Sequence, residues 1–257
     1  MRLSQIAAQL YTVRDFCKTS ADLAASVKKL RSIGYHAVQV SGVGPIDEIE
    51  IAAICRSEGL TICATHEDSH LILDQPSKAA ERVRKLGSDY CAYPWPRDVQ
   101  LDDPVQLASL IKRLDAAGAV FRHAELTLGY HNHAIEFQKI QGRTVLEHIF
   151  AETEPKNLVA ELDTYWIQYG GGDVVEWCER LSGRLPTMHL KDYGFTRDNT
   201  PIWTEIGRGT LNFKRIIAAA EKSGCRWFIV EQDTCPGDPF ESLKISFDYM
   251  AANLAQN

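Results

Sequence analysis

The stretch Glu161-Leu162-Asp163-Thr164-Tyr165-Trp166 is followed by Met188-His189-Leu190-Lys191-Asp192 and then by Ile229-Val230-Glu231-Gln232-Asp233. Each is a short apolar run whose C-terminal end carries an acid or an imidazole. With helical sequence between them, these runs read as parallel strands that deliver polar groups to one shared mouth, as a closed α/β barrel does. The convergence of carboxylates with a histidine points to a bound divalent metal.

The same alternation extends over the whole chain. Runs of β type are expected at Ile6–Thr12, Ala37–Val40, Thr61–His66, Tyr90–Trp95, Leu126–His133, Leu158–Trp166, Leu185–Asp192 and Trp227–Asp233. Amphipathic segments separate them. In Ala21–Ser32, for example, Leu23, Val27 and Leu30 lie on one side and Lys28, Lys29 and Arg31 largely on the other. Gly34, Gly59, Gly87 and Gly224 mark helix ends, and Ser20-Ala21-Asp22, Asp103-Pro104 and Asp238-Pro239 mark starts, where an acid or hydroxyl satisfies free N–H groups. Eight such units predict a single (β/α)8 barrel domain over residues 1–257. A doubly wound sheet is the alternative. It is disfavoured because Ala8-Gln9-Leu10-Tyr11-Thr12-Val13-Arg14-Asp15 stands where that fold places a glycine-rich phosphate loop.

Composition narrows the function classes. With 45% hydrophobic and 24% charged residues the chain can bury a large core, and its net charge of −6 is unsuited to nucleic acid, which is bound through clustered Lys and Arg. The N-terminus has no secretory-signal pattern, and no run approaches the roughly 20 apolar residues needed to span a bilayer. The expectation is therefore a cytoplasmic protein without membrane partners. The seven cysteines are scattered, odd in number and free of CxxC pairs, which suggests reduced core thiols.

The chemistry is expected at four strand ends. Asp163, His189 and Glu231 sit on consecutive strands and are read as ligands of one divalent ion, Mn²⁺, Mg²⁺, Co²⁺ or Zn²⁺. Taken singly, each has a plainer reading as a cap or an ion-pair partner, but coincidence would have to strike three adjacent strands. On the fifth strand, His131, His133 and Glu136 are all candidates for the fourth ligand. Glu136 is preferred, because opposite Glu231 it would supply a second proton carrier, with Glu231, Glu136 and His131 as the catalytic set. His133 then contacts substrate, or the His131/His133 pair simply braces the mouth. Gln9, His66, Trp95, Trp166, Lys191 and Arg208 complete a sugar-binding set of aromatic faces and hydroxyl-bonding groups. Trp95, between two prolines, also reads as a packing plug. The loop Gly207-Arg208-Gly209 either cradles an anion or turns the chain, and turning is preferred.

These motifs together, from Gln9-Leu10-Tyr11-Thr12-Val13-Arg14-Asp15 through Tyr130-His131-Asn132-His133 to Gly207-Arg208-Gly209-Thr210-Leu211 and Val230-Glu231-Gln232-Asp233, resemble the sugar phosphate isomerase/epimerase family of xylose-isomerase-like TIM barrels. That superfamily also includes inosose dehydratases, ketose 3-epimerases and endonuclease-IV-type repair enzymes. The resemblance implies a metal held by Glu, Asp, His and Glu from strands five to eight. Asp163, His189 and Glu231 match the last three, whereas Gly129, Tyr130 and His131 stand where the epimerases carry the first Glu. It further implies proton transfer next to the carbonyl of a ketose, keto-sugar or sugar phosphate through an enediolate, in a protein that is often a dimer or tetramer. A dehydratase or lyase of a keto-cyclitol or 3-keto-glycoside, a non-catalytic sugar-binding barrel and a nuclease are the alternatives.

Overall fold

The computed structural model describes residues 1–256. Eight parallel strands close into a barrel: β1 (Ile6–Gln9), β2 (Ala37–Val40), β3 (Thr61–His66), β4 (Tyr90–Tyr93), β5 (Thr127–His131), β6 (Val159–Asp163), β7 (Thr187–Leu190) and β8 (Trp227–Val230), with β8 returning to pair with β1. The outer layer includes α1 (Ser20–Ile33), α2 (Glu48–Ser57), α3 (Ser69–Asp74), α4 (Pro76–Leu86), α5 (Pro104–His123), α6 (Val145–Glu152), α7 (Thr164–Tyr169), α8 (Val174–Arg180), α9 (Phe213–Lys222) and α10 (Pro239–Asn253). This is the expected (β/α)8 TIM barrel. Asp103 and Asp238 cap α5 and α10 ahead of their prolines, and α1 is capped by Thr19 in a reciprocal box with Asp22. Among the described residues no helix is long and apolar enough to cross a membrane, and all seven cysteines are free, six of them buried.

Strand period sorts the core into two bodies. Outward residues such as Ile6, Ala8, Val38, Leu128, Leu162, Met188 and Phe228 pack under the helices. Inward residues form a separate cluster of Ala7, Ala37, Cys63, Ala64, Tyr90, Ala92 and Ile229. These are mostly small because strands from all sides converge on that space, and Tyr90 fills the void they leave. Gly129 of β5 permits this: a Cβ there would collide with the Tyr90 hydroxyl. One inward step nearer the C-terminal end, small residues give way to polar ones. Gln9 follows Ala7, Gln39 follows Ala37, His131 follows Gly129, and His189 follows Thr187. On β6 both inward positions are acidic, Glu161 and Asp163, in register with His131 and His189.

Six of the eight strands end before the expected boundary. After Gln9 the chain turns into a 3₁₀ segment, Leu10–Phe16, and β6 stops at Asp163 because that side chain accepts a hydrogen bond from Trp166 N (3.0 Å) and starts α7. Likewise Asp192 does not extend β7. It opens an antiparallel ribbon, Asp192–Phe195 with Pro201–Thr204, and a second small ribbon joins Lys139–Ile140 to Arg143–Thr144. Apolar alternation reads through these points because mouth loops packed on a barrel are as apolar as strands.

The Tyr90–Gly129 contact predicts that Gly129→Ala lowers stability by about 1–3 kcal/mol through overpacking, read as a drop in melting temperature. Tyr90→Phe should recover part of that loss, since the hydroxyl has no hydrogen-bond partner. A Gly129→Ala protein that melts like the wild type would contradict this packing.

Candidate metal and substrate site at the barrel mouth

The inward polar residues converge. Two overlapping sets, His66/His131/Glu161/His189 and His131/Asp163/His189/Glu231, bring one potential ligand atom from each residue within 4.8 Å of the others. In the second set His189 Nδ1 lies 2.7 Å from Glu231 Oε2 and 4.0 Å from Asp163 Oδ2, and His131 Nε2 lies 3.9 Å from the same Asp163 oxygen. Asp163 divides its carboxylate: Oδ1 caps α7, while Oδ2 is buried, faces the cluster and has the Lys191 ammonium 3.1 Å away as its partner. Two carboxylates and two imidazoles converging at this spacing suit a divalent ion of the hard or borderline kind.

The electrostatics follow from burying so many charges together. Lys191 is almost completely buried, with Nζ 2.9 Å from Glu231 Oε2, 3.1 Å from Asp163 Oδ2 and 2.9 Å from Asp233 Oδ2. Burial works against its charge, yet these three carboxylates hold its ammonium well above the usual lysine range. Burial raises the Asp163 carboxyl to about 6, against the pull of Lys191 and His189. For Glu231 burial pushes upward too, but Lys191 and His189 outweigh it and hold the carboxyl well below the ordinary range. Burial disfavours a charged His189, but Glu161 and Glu231 push it up to about 10. The outer imidazole behaves in the opposite way, since burial lowers His133 to about 3.

Glu136 is not brought into this cluster. It is fully buried behind β5, where Oε1 accepts from the Tyr130 hydroxyl (2.8 Å) and Oε2 from His133 N (2.8 Å). Burial pushes its carboxyl up to about 7. Both oxygens therefore fasten the turn after β5, and the imidazole of His131 stands where a Glu136 carboxylate was expected. The reason is parity: a residue beyond the strand end follows its own loop, whereas His131 lies on the strand's inward side.

A cavity of about 450 Å³ opens above the cluster, with His66, Trp95, His131, His133, Lys191 and Glu231 on its wall. His133 is wedged between Trp95 and Trp166, with ring centroids 4.8 and 5.4 Å away, and its Nδ1 has no partner. Trp166 itself lies behind this wall. Gln9 is fully buried and donates to Gln39 Oε1 (2.9 Å), so it supports the mouth from below and does not face the cavity. Arg208 lies outside the cavity: its exposed side chain reaches Glu205 at 3.4 Å. Its loop turns around an internal anion, with Gly207 N and Gly209 N each 2.9 Å from Asp192 Oδ2. Sequence reasoning missed Glu161 and Gln39, although period two from Asp163 and from Ala37 would have turned both inward. It also missed the cavity-lining Glu67, Asp68, Arg97 and Asp233, which sit on loops where no periodicity applies.

Comparison with known proteins agrees with this architecture. Residues 27–252 match the family described as xylose isomerase-like TIM barrel, and the chain belongs to it. A sugar phosphate isomerase/epimerase from Parabacteroides distasonis superposes with a TM-score of 0.82 at 22% identity, covering 98% of this chain and 95% of that one. A xylose isomerase-like barrel from Mycobacterium smegmatis, solved in complex with magnesium, gives a TM-score of 0.74 at 13% identity over 98% and 97% of the two chains. An inosose dehydratase from Geobacillus thermodenitrificans is 26% identical over 149 residues, 51% of this chain and 49% of that protein, so the match takes in about half of the relative's length. Membership of this family points to an enzyme acting on sugars.

Thermal melting with and without Mn²⁺ tests the ligand set. At a hundredfold excess over Kd the ion should stabilise the fold by about 2.7 kcal/mol. His131→Ala or His189→Ala should abolish most of that increment, whereas Glu136→Gln should lower the melting temperature of the metal-free protein and keep it.

Proposed function

We propose that this chain is a divalent-metal-dependent enzyme that transfers a proton next to the carbonyl of a keto-sugar, as an isomerase or epimerase. The observation that carries the reading is the His131, Asp163, His189 and Glu231 cluster beneath a cavity walled by tryptophan and histidine. When bound, the ion would stabilise the negative charge that develops on the substrate oxygens as the proton leaves. His131, Asp163, His189 and Glu231 would hold it. Glu231 is the proposed base: it lies on the cavity wall, and Lys191 and His189 hold its carboxyl below the ordinary range, in the ionised form. Lys191, fixed by three acids, orients the reacting carboxylate. Trp95 offers a 43% exposed ring against C–H surface, and His66 and His133 are placed to bond hydroxyls.

A dehydratase is the second reading, favoured by a specific observation. With Glu136 withdrawn, strand five brings no carboxylate to the cavity; its groups there are the imidazoles of His131 and His133, which leaves no second carboxylate on that strand to return a proton to carbon. The inosose dehydratase relative is consistent with that outcome. Both readings share the first step and diverge after it.

The charge of the cavity bears on the substrate. Its wall carries Glu67, Asp68, Glu231 and Asp233 against Arg97 and Lys191. Neither cation is free: Lys191 is shared among Asp163, Glu231 and Asp233, and Arg97 Nη1 lies 3.1 Å from Asp68. A phosphate would meet carboxylates without a spare cation, so the reading is an unphosphorylated sugar.

Glu231→Gln should slow exchange of substrate α-protons with solvent deuterium by about 10²- to 10⁴-fold, and undiminished exchange would remove Glu231 as the base. Product analysis on a keto-sugar panel separates epimerisation from water loss. A phosphate ester should bind at least about tenfold more weakly than its parent sugar, a difference of roughly 1.4 kcal/mol; tighter binding of the ester would contradict the charge argument.

A further inference from the structure

Below the candidate metal ligands lies a second buried carboxylate that the mechanism above does not use. Glu161 has no solvent exposure and sits one inward step beneath Asp163. Its Oε1 faces three imidazoles: His66 Nε2 at 2.6 Å, His189 Nε2 at 3.2 Å and His131 Nδ1 at 3.5 Å. Gln39 Nε2 donates to both oxygens, at 2.9 and 3.2 Å, and the Thr187 hydroxyl lies 3.3 Å from Oε2. For His189 and His131 it is the other ring nitrogen that points up, toward Asp163 Oδ2 at 4.0 and 3.9 Å.

We infer that Glu161 is a positioning residue: by accepting from the lower ring nitrogens of His189 and His131 it directs their upper nitrogens, Nδ1 and Nε2, at Asp163 and Glu231, and thereby sets the affinity of the mouth for a divalent ion. This rests on the metal reading of the preceding section. Without an ion His189 Nδ1 donates to Glu231 Oε2 at 2.7 Å; with one bound, each ring would ligate through one nitrogen and donate from the other, so an N–H held on the Glu161 side leaves the upper nitrogen as the ligand atom. The polarity is imposed from outside the cluster. Tyr11 N is a backbone donor and requires the Gln9 carbonyl oxygen to face it (3.4 Å). Gln9 Nε2 then donates to Gln39 Oε1 (2.9 Å), which turns Gln39 Nε2 onto Glu161. Gln39 Oε1 is thereby left as an acceptor 2.6 Å from His189 Nε2, and an acceptor there requires that nitrogen to carry the proton. His189 thus meets two acceptors below, Gln39 Oε1 and Glu161 Oε1, and presents Nδ1 above. For His131 the Glu161 oxygen is the nearest acceptor to Nδ1, which has no closed hydrogen bond; a shift of about half an ångström closes it to ordinary length. The same polarity argues against the lower set, His66/His131/Glu161/His189, as the metal site, because His189 would have to present a lone pair to the Gln39 carbonyl.

Two measurements test this. Binding of Mn²⁺ to Glu161→Gln and to wild type is followed by titration, and Co²⁺ loading is followed by visible absorption, a readout independent of turnover. The amide keeps the volume but reverses one hydrogen-bond polarity, so Mn²⁺ affinity should fall about 10- to 100-fold with an altered Co²⁺ spectrum. Affinity within twofold of wild type and an unchanged spectrum overturn the inference. Complete loss of Mn²⁺ binding by a variant that keeps its far-UV circular dichroism makes Glu161 a direct ligand and also overturns it. In wild type loaded with diamagnetic Zn²⁺, ¹⁵N–¹H long-range correlation should find the His189 proton on Nε2 and the His131 proton on Nδ1. A His189 Nδ1–H form overturns the inference even if Glu161→Gln fails to fold. A wild-type protein that binds no divalent ion sinks the metal reading itself, a result distinguishable from all of these.

Discussion

The interior of a closed barrel of eight strands admits only every second residue of each strand, and everything in the mouth follows from how that space is filled. Lower down, Ala7, Ala37, Ala64, Ala92 and Gly129 are small enough to let Tyr90 occupy the axis. Above them the same parity turns Gln9, Gln39, His131, Glu161, Asp163 and His189 inward, where water is excluded and each charge must find a partner. Acids and bases are therefore paired closely: Lys191 among Asp163, Glu231 and Asp233, and His189 between Glu161 and Glu231. Such burial is costly unless geometry is good, and the hydrogen-bonded chain Gln9–Gln39–Glu161 supplies that geometry from below.

Function and stability divide the polar residues of strand five between them. Tyr130 and His131 are neighbours on one strand, yet one points outward to Glu136 and the other inward to Asp163. Glu136 thus acts on the site at one remove, by holding the turn that carries His133 between Trp95 and Trp166. Asp192 acts similarly on the far side, where its carboxylate gathers the backbone N–H groups of Gly207, Gly209 and Leu211. A loop that reads as an anion cradle is occupied by the protein's own acid, and Arg208 is released to the surface.

Much of this was legible in the chain itself. The alternation of β and α runs, their capping acids and the polar residues at the ends of strands six to eight are local signals, each generated within a few residues, and local signals survive in sequence. Eight of them leave few topologies, because βαβ crossovers of one hand bring successive strands side by side. Strand ends were less legible. Thr164-Tyr165-Trp166 has every feature of a strand until Asp163 Oδ1 is seen capping a helix, and Asp192-Tyr193 continues an apolar run that folds away into a ribbon.

By itself, then, the sequence determined the barrel, its family and the meeting of Asp163, His189 and Glu231 at one mouth, because strand order and parity depend only on residues near one another in the chain. Tertiary structure decided which group joins them. His131, not Glu136, lies beside them, Lys191 is ion-paired among their carboxylates, and Glu161 and Gln39 bond the cluster from beneath. Those choices depend on distances between residues 30 to 150 positions apart, from Gln9 to Gln39 up to Gln39 to His189, and on whether a side chain is satisfied before it can reach the site. Hydrogen-bond satisfaction is a property of the folded neighbourhood, and no stretch of sequence carries it alone.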